Sequence, residues 1–139
     1  MKALALSLLL SSVLITQPAR LAHGAEPATK EHPGDVALSQ QADGAWQYRS
    51  FPHLTRLYTS EKDRRGVSTC DDRCAQAWPP LFTTENTNTG DKVGLWSVIR
   101  RADGKQQWAY KGQPVYQRYH DMPMDPGAKD VDGFRPLQP

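Results

Sequence analysis

Two cysteines, a histidine followed by two methionines, and two aspartates placed alike after tyrosines are the residues of this 139-residue chain whose types and spacing carry chemistry. Cys70 and Cys74 are the only cysteines, set in the run Ser68-Thr69-Cys70-Asp71-Asp72-Arg73-Cys74-Ala75-Gln76-Ala77-Trp78-Pro79-Pro80-Leu81. In an oxidising compartment such a pair closes as a disulfide, and a ring this small stabilises by about 2 kcal/mol in the chain-entropy model. On a regular helix, Cα atoms four residues apart lie about 6 Å from one another, near the upper end of disulfide geometry. Cys70 is therefore expected in the turn before a short helix, with Asp71 and Asp72 by the helix's positive end. The rivals are a redox pair and a soft-metal site. Redox pairs usually have Cys-x-x-Cys spacing at a helix start within a βαβ pattern; neither is present, and two acidic residues after Cys70 work against a reactive thiolate.

The second foothold is His120-Asp121-Met122-Pro123-Met124. Thioethers and imidazole suit copper, Cu(I) above all, so His120, Met122 and Met124, with or without His53, form the candidate metal set. The plainer reading packs the methionines under a Pro-rich loop and leaves both histidines as loop residues. Asp63 and Asp121 invite a glycosidase-like or calcium reading. Their matched positions argue instead that each carboxylate caps the same local turn, since acid–base work needs two carboxylates in unlike environments. Calcium needs several more oxygen ligands at set spacing. No Ser-His-Asp set, phosphate loop or haem-attachment motif occurs. No catalytic residue is assigned, and the reading leans away from an enzyme.

These residues are carried by short runs rich in Val, Thr, Trp and Tyr, broken by Asp-Gly and Gly, which is the vocabulary of strands and hairpins. Val36 to Gly44 lines up without a gap on Trp96 to Gly104, each copy ending Ala-Asp-Gly, a tight-turn signal. Beyond the turn, Trp46-x-Tyr48 is matched to Trp108-x-Tyr110 by a two-residue offset, Pro52 to Pro114, and Tyr58 to Tyr116. A period of about sixty residues implies a tandem duplication: copy one over about 35–94 and copy two over about 95–139. Trp108 and Tyr110 fall on one strand face and are expected in the core. Copy one is read as carrying the cysteine helix as an insertion that copy two lacks, and Gly133-Phe134-Arg135-Pro136-Leu137 as a closing strand that begins a third copy.

Leu57-Tyr58-x4-Asp63, Ser68-x-Cys70-x3-Cys74-Ala75-x2-Trp78-Pro79-Pro80-Leu81 and Arg101-Ala102-Asp103-Gly104-x2-Gln107-Trp108-Ala109-Tyr110-x-Gly112-x-Pro114-Val115-Tyr116-x4-Asp121 together resemble the bacterial secreted-repeat family. That family is described as lipoproteins with a Tyr-x-aromatic-x-x-Asp motif and has a poorly defined function. The resemblance covers about Arg49 to Leu137. It makes Tyr58, Asp63, Trp78, Pro79, Pro80, Trp108, Tyr110, Tyr116 and Asp121 the motif residues. The motif's aromatic position is Ser60 in copy one and Arg118 in copy two, which departs from the family pattern.

Residues 1–24 read as a secretory signal peptide, with a basic start, an apolar run from Ala3 to Ile15 too short to span a membrane, and a small-residue exit before Ala25. No cysteine near that junction supports a lipid anchor. Residues 25–34 read as a flexible arm and 35–139 as a single domain. Loss of Lys2 and Arg20 with the signal leaves fifteen basic against fifteen acidic residues, without the basic stripe that nucleic-acid binding requires. The expectation is thus a mostly β protein, a small antiparallel sheet or barrel built from two hairpin-based repeats with one short helix. It is periplasmic or secreted and not membrane-spanning. It serves as a non-catalytic binding or structural module for an unknown envelope partner or ligand, without a cofactor. A small periplasmic copper-binding or redox accessory protein is the alternative.

Overall fold

The computed structural model describes residues 30–84 and 86–139, so the stretch read as a signal peptide and the first part of the expected arm lie outside the described residues. Eight strands and one helix follow in order: β1 Val36–Gln40, β2 Trp46–Ser50, β3 Tyr58–Ser60, α1 Asp72–Ala77, β4 Lys92–Val93, β5 Trp96–Arg100, β6 Gln106–Tyr110, β7 Gln113–Tyr116 and β8 Phe134–Pro136. Every strand pair is antiparallel. The strands form a two-stranded sheet, β1-β2, and a six-stranded sheet in the order β4-β5-β6-β7-β3-β8. The mostly β architecture with one short helix is as expected, and the sheets stay open rather than closing into a barrel. Among the described residues no helix is long and apolar enough to cross a membrane.

The hairpins β1-β2 and β5-β6 are built alike. Val36 pairs with Ser50 and Gln40 with Trp46; sixty residues on, Trp96 pairs with Tyr110 and Arg100 with Gln106. The turns match bond for bond. Ala45 N and Lys105 N each donate to the Asp of the Asp-Gly turn, and Gly44 and Gly104, both at positive φ, donate to Gln41 O and Arg101 O. The step is sixty through both strands of the hairpin, which corrects the two-residue offset. Tyr48, opposite Leu38, occupies the place of Trp108, opposite Val98, and Trp46 answers Gln106.

A second correction concerns the closing strand. Tyr58 pairs with Tyr116 where β3 meets β7, and each tyrosine has a further strand on another side: Pro136 of β8 beside Tyr58, Pro80 beside Tyr116. Leu137 N donates to Leu57 O as Leu81 N donates to Val115 O. Phe134-Arg135-Pro136-Leu137 is thus the counterpart of Trp78-Pro79-Pro80-Leu81, and it completes copy two rather than opening a third. The cysteine helix is correspondingly no pure insertion. Trp78 lies fifteen residues after Asp63 and Phe134 thirteen after Asp121, so α1 stands where copy two runs as turns.

Two apolar clusters hold the body together. Tyr48, Leu57, Leu81, Trp96, Val98, Trp108, Tyr110 and Val115 form one; Tyr58, Cys70, Trp78, Tyr116 and Phe134 form the other at the junction of the copies. At that junction Trp78 and Phe134 stack face to face, centroids 4.0 Å apart. A six-residue helix that buries none of its own residues cannot sustain itself. The Cys70–Cys74 disulfide, with Cα atoms 5.2 Å apart, ties α1 to the strand-side cluster, and Cys70 sits before the helix as its spacing requires. Residues 30–34, read as arm, run along the body: Pro33 is buried, and the side chain of Glu31 lies against Gly94.

Candidate functional site

The two Tyr-x4-Asp motifs do not close on themselves. Tyr116 donates to Asp63 Oδ2 at 2.6 Å, and Tyr58 donates to Asp121 Oδ2, so each copy's tyrosine is bonded to the other copy's aspartate. Antiparallel pairing of Tyr58 with Tyr116 sends each side chain past the crossing point, where only the opposite carboxylate is within reach. Burial raises the pKa of both phenols, and the hydrogen bond to the carboxylate adds to the shift. Both tyrosines are therefore neutral donors. The expectation that each aspartate caps its own turn in a like environment is corrected by this exchange and by what surrounds each carboxylate.

Asp63 is saturated. Its Oδ1 accepts from Thr69 N and Thr69 Oγ1, both at 2.8 Å, and its Oδ2 holds Tyr116. Behind it Ser68 Oγ lies 2.7 Å from Tyr116 Oη and accepts from Arg101 Nη1 at 2.7 Å. The Arg101 side chain is almost fully buried with every N–H used: Gln107 Oε1, Cys70 O, Asp71 Oδ1 and Asp103 Oδ2 complete the set. A guanidinium has five donors, and a buried one is tolerated only when they are met.

The other junction is less complete. Asp121 Oδ2 holds Tyr58, whereas Oδ1 has only the Arg118 guanidinium at 3.7 Å, although the side chain is just 4% exposed. Behind it the fully buried Arg49 reaches Leu54 O, Asp125 O and Gln41 Oε1, with no partner for Nε. Burial and then Arg56 pull its pKa down, though Asp125, Tyr58 and Asp121 counter this. Asp121 opens onto a cleft of about 280 Å³ bordered by His53, Thr55, Gln117, Arg118, Tyr119 and Pro123, with Pro79 at the side. Thr55 Oγ1 donates to Gln117 Oε1 at 3.0 Å, which turns the amide nitrogen of Gln117 outward without a partner. The cleft thus offers one guanidinium, one carboxylate oxygen, one amide and one imidazole around an aromatic face.

The cleft walls come from two segments that touch. Met124 N donates to Leu54 O at 3.1 Å, and both residues hold left-handed backbone, φ 61° and 56°. Bulky residues pay about 1–3 kcal/mol each for that conformation, which gathers at functional sites. His120, Met122 and Met124 all lie exposed on this face, with the ring of His120 against Tyr119 at 5.0 Å. Among the described residues no group of three or more His, Cys, Asp or Glu side chains could hold a metal ion. The remaining motif residues are structural in position. Trp78 stacks in the junction cluster, Trp108 donates to buried Asp35 at 2.7 Å, Tyr110 is core, Pro80 bridges Tyr116, and Pro79 alone reaches the cleft.

Arg101, Arg49, Gln117 and Tyr119 were not singled out from the sequence as site residues. The signal for Arg101 was weak, an arginine abutting the Ala-Asp-Gly turn; for Tyr119 it was its place between Arg118 and the His-Asp-Met run. Comparison with models of known protein families, with curated proteins and with solved structures found no match.

Proposed function

We propose that the protein is an exported, non-catalytic binding module of the bacterial cell envelope, of the secreted-repeat kind and without a lipid anchor. Its ligand sits in the cleft between residues 51–55 and 117–123. The observation that carries this reading is the contrast between the two aspartates. The Asp63 carboxylate is held on both oxygens by protein donors, while its twin Asp121, also enclosed, keeps an oxygen that meets only the Arg118 guanidinium at 3.7 Å and faces an open cleft beside His53 and Gln117. Buried polar groups in folded proteins are normally partnered, so an enclosed Asp121 oxygen met only by a guanidinium at 3.7 Å fits a ligand that supplies the missing bonds. With one Arg and one Asp the cleft has no net charge, which favours a small polar ligand carrying both donors and acceptors.

The disulfide and the leader-like first 24 residues support export. The intact mass of protein from the exported fraction tests that part: it is expected to start near Ala25 and to fall by two hydrogens relative to the reduced chain. Backbone amide NMR with defined sugars, amino acids and dipeptides tests the site. Shifts are expected to cluster at His53, Thr55 and Gln117–Asp121 and to vanish in Asp121→Ala. Shifts scattered over the surface, or none with any probe, would remove the cleft from the reading.

A further inference from the structure

Methionine is an apolar side chain that ordinarily fills gaps in cores, yet Met122 is 66% exposed and Met124 56% exposed. They do not stand alone. Of the large apolar side chains left exposed among the described residues, Phe51, Tyr119, Met122 and Met124 belong to the two segments that meet through the Met124 N to Leu54 O bond. His53 precedes Leu54 in that contact, and His120 sits two residues before Met122. Both histidines are exposed and neither ring takes part in a hydrogen bond, so their nitrogens are available. The remaining sulfur atoms of the domain are committed to the Cys70–Cys74 disulfide, and no cysteine is free.

We propose that this face binds a soft monovalent metal ion, Cu(I), through the thioether sulfurs of Met122 and Met124 and the imidazoles of His53 and His120. The choice of ion follows from the donors. Thioethers bind Cu(I) and give little to zinc, calcium or magnesium, which want thiolate, carboxylate or carbonyl groups, while imidazole serves copper well. No cluster of harder donors competes at the face. Its geometry limits the entropy lost on binding: Pro123 fixes the backbone between the two methionines, and the left-handed turn at Met124 folds the chain back onto Leu54 beside His53. The ion is bound without a change of oxidation state. The site shares only His53 with the small-ligand cleft, so the two readings fail separately.

The test uses the full chain with its methionine methyl groups labelled with carbon-13, which gives one signal each for Met1, Met122 and Met124. Silver(I), an air-stable stand-in for Cu(I), is titrated first. Cu(I) follows under anaerobic conditions against the chromophoric competitor bicinchoninate. The expected result is that the Met122 and Met124 signals move together and saturate at about one equivalent while Met1 stays put, and that the protein withdraws about one Cu(I) from the competitor. The double variant Met122→Leu, Met124→Leu is expected to weaken uptake by at least about a hundredfold, and His53→Ala with His120→Ala by about tenfold. Methyl signals that do not move, that move only in large excess of metal, or uptake that survives loss of both methionines would overturn the proposal.

Discussion

The two tyrosine–aspartate junctions begin from the same residues in the same motif and end in different states. At Tyr116–Asp63 the network runs on through Ser68 to a guanidinium whose donors are all met, beside a disulfide. At Tyr58–Asp121 the corresponding carboxylate is half used, and the arginine behind it leaves Nε unpartnered. The guanidiniums even enter from different strands: Arg101 follows β5, whereas Arg49 lies in β2 and bonds to Gln41, which stands at Arg101's place in its own hairpin. A duplicated framework thus carries one junction saturated for stability and one with valences left over for binding. That is the division expected when a spare copy of a structural motif is free to lose partners.

The largest effect treats both junctions alike and tests whether their phenols are enclosed. Burial pushes Tyr48 up to about 12, helped by Tyr110, and holds Tyr58, Tyr110 and Tyr116 above the usual tyrosine value of 10.0. The unfolded chain gives up these protons first, so the stability they contribute is whole below pH 10 and drains away as pH rises from 10 toward 12. Alkaline titration followed by circular dichroism and phenolate absorbance should show late ionisation coupled to unfolding. Ordinary ionisation near pH 10 with the fold intact would break the picture of both junctions.

The sharpest separation of the two comes from the aspartates. Asp63→Ala strands Tyr116 and both Thr69 donors and should cost about 3 kcal/mol in urea unfolding, whereas Asp121→Ala strands Tyr58 alone and should cost about 1. Equal losses would erase the distinction. Next is the disulfide: Cys70→Ser with Cys74→Ser should lower stability by about 2 kcal/mol and loosen amide exchange around Ser68 and Tyr116 more than around Tyr58. Smallest is Met122→Gln with Met124→Gln, exposed positions on the open side, where a change within about 0.5 kcal/mol is expected by thermal unfolding. A larger loss would mean the methionines pack.

Much of the frame was legible because it rests on local rules. Asp43-Gly44 and Asp103-Gly104 announce their turns through the positive φ such turns demand, and the cysteine spacing placed Cys70 ahead of α1. Matching Trp46-x-Tyr48 to Trp108-x-Tyr110 by residue type misled, because the buried place held by Tyr48 in copy one is held by a different aromatic, Trp108, in copy two. The aromatic-x-Pro-Leu likeness between Trp78 and Phe134 was in the sequence and would have revealed the end of copy two. The exchange of aspartates was not legible. It depends on β3 crossing β7 antiparallel, a long-range pairing that no local pattern encodes, and so does the unequal saturation of Asp63 and Asp121. Of the two readings of Met122 and Met124, metal ligands or packing under the loop, their exposure removes the second; sequence alone does not say which side of a loop faces water.

The exchange of tyrosine partners also fixes when the molecule can become itself. Tyr58 finds its carboxylate sixty-three residues downstream, and Leu57 is capped only by Leu137. As the chain emerges from the ribosome, copy one has no finished junction until copy two and β8 have followed it. A chain cut short of β8 would lack both the Leu137–Leu57 bond and the pairing of Tyr58 with Pro136, so the first copy's junction is finished by the last strand.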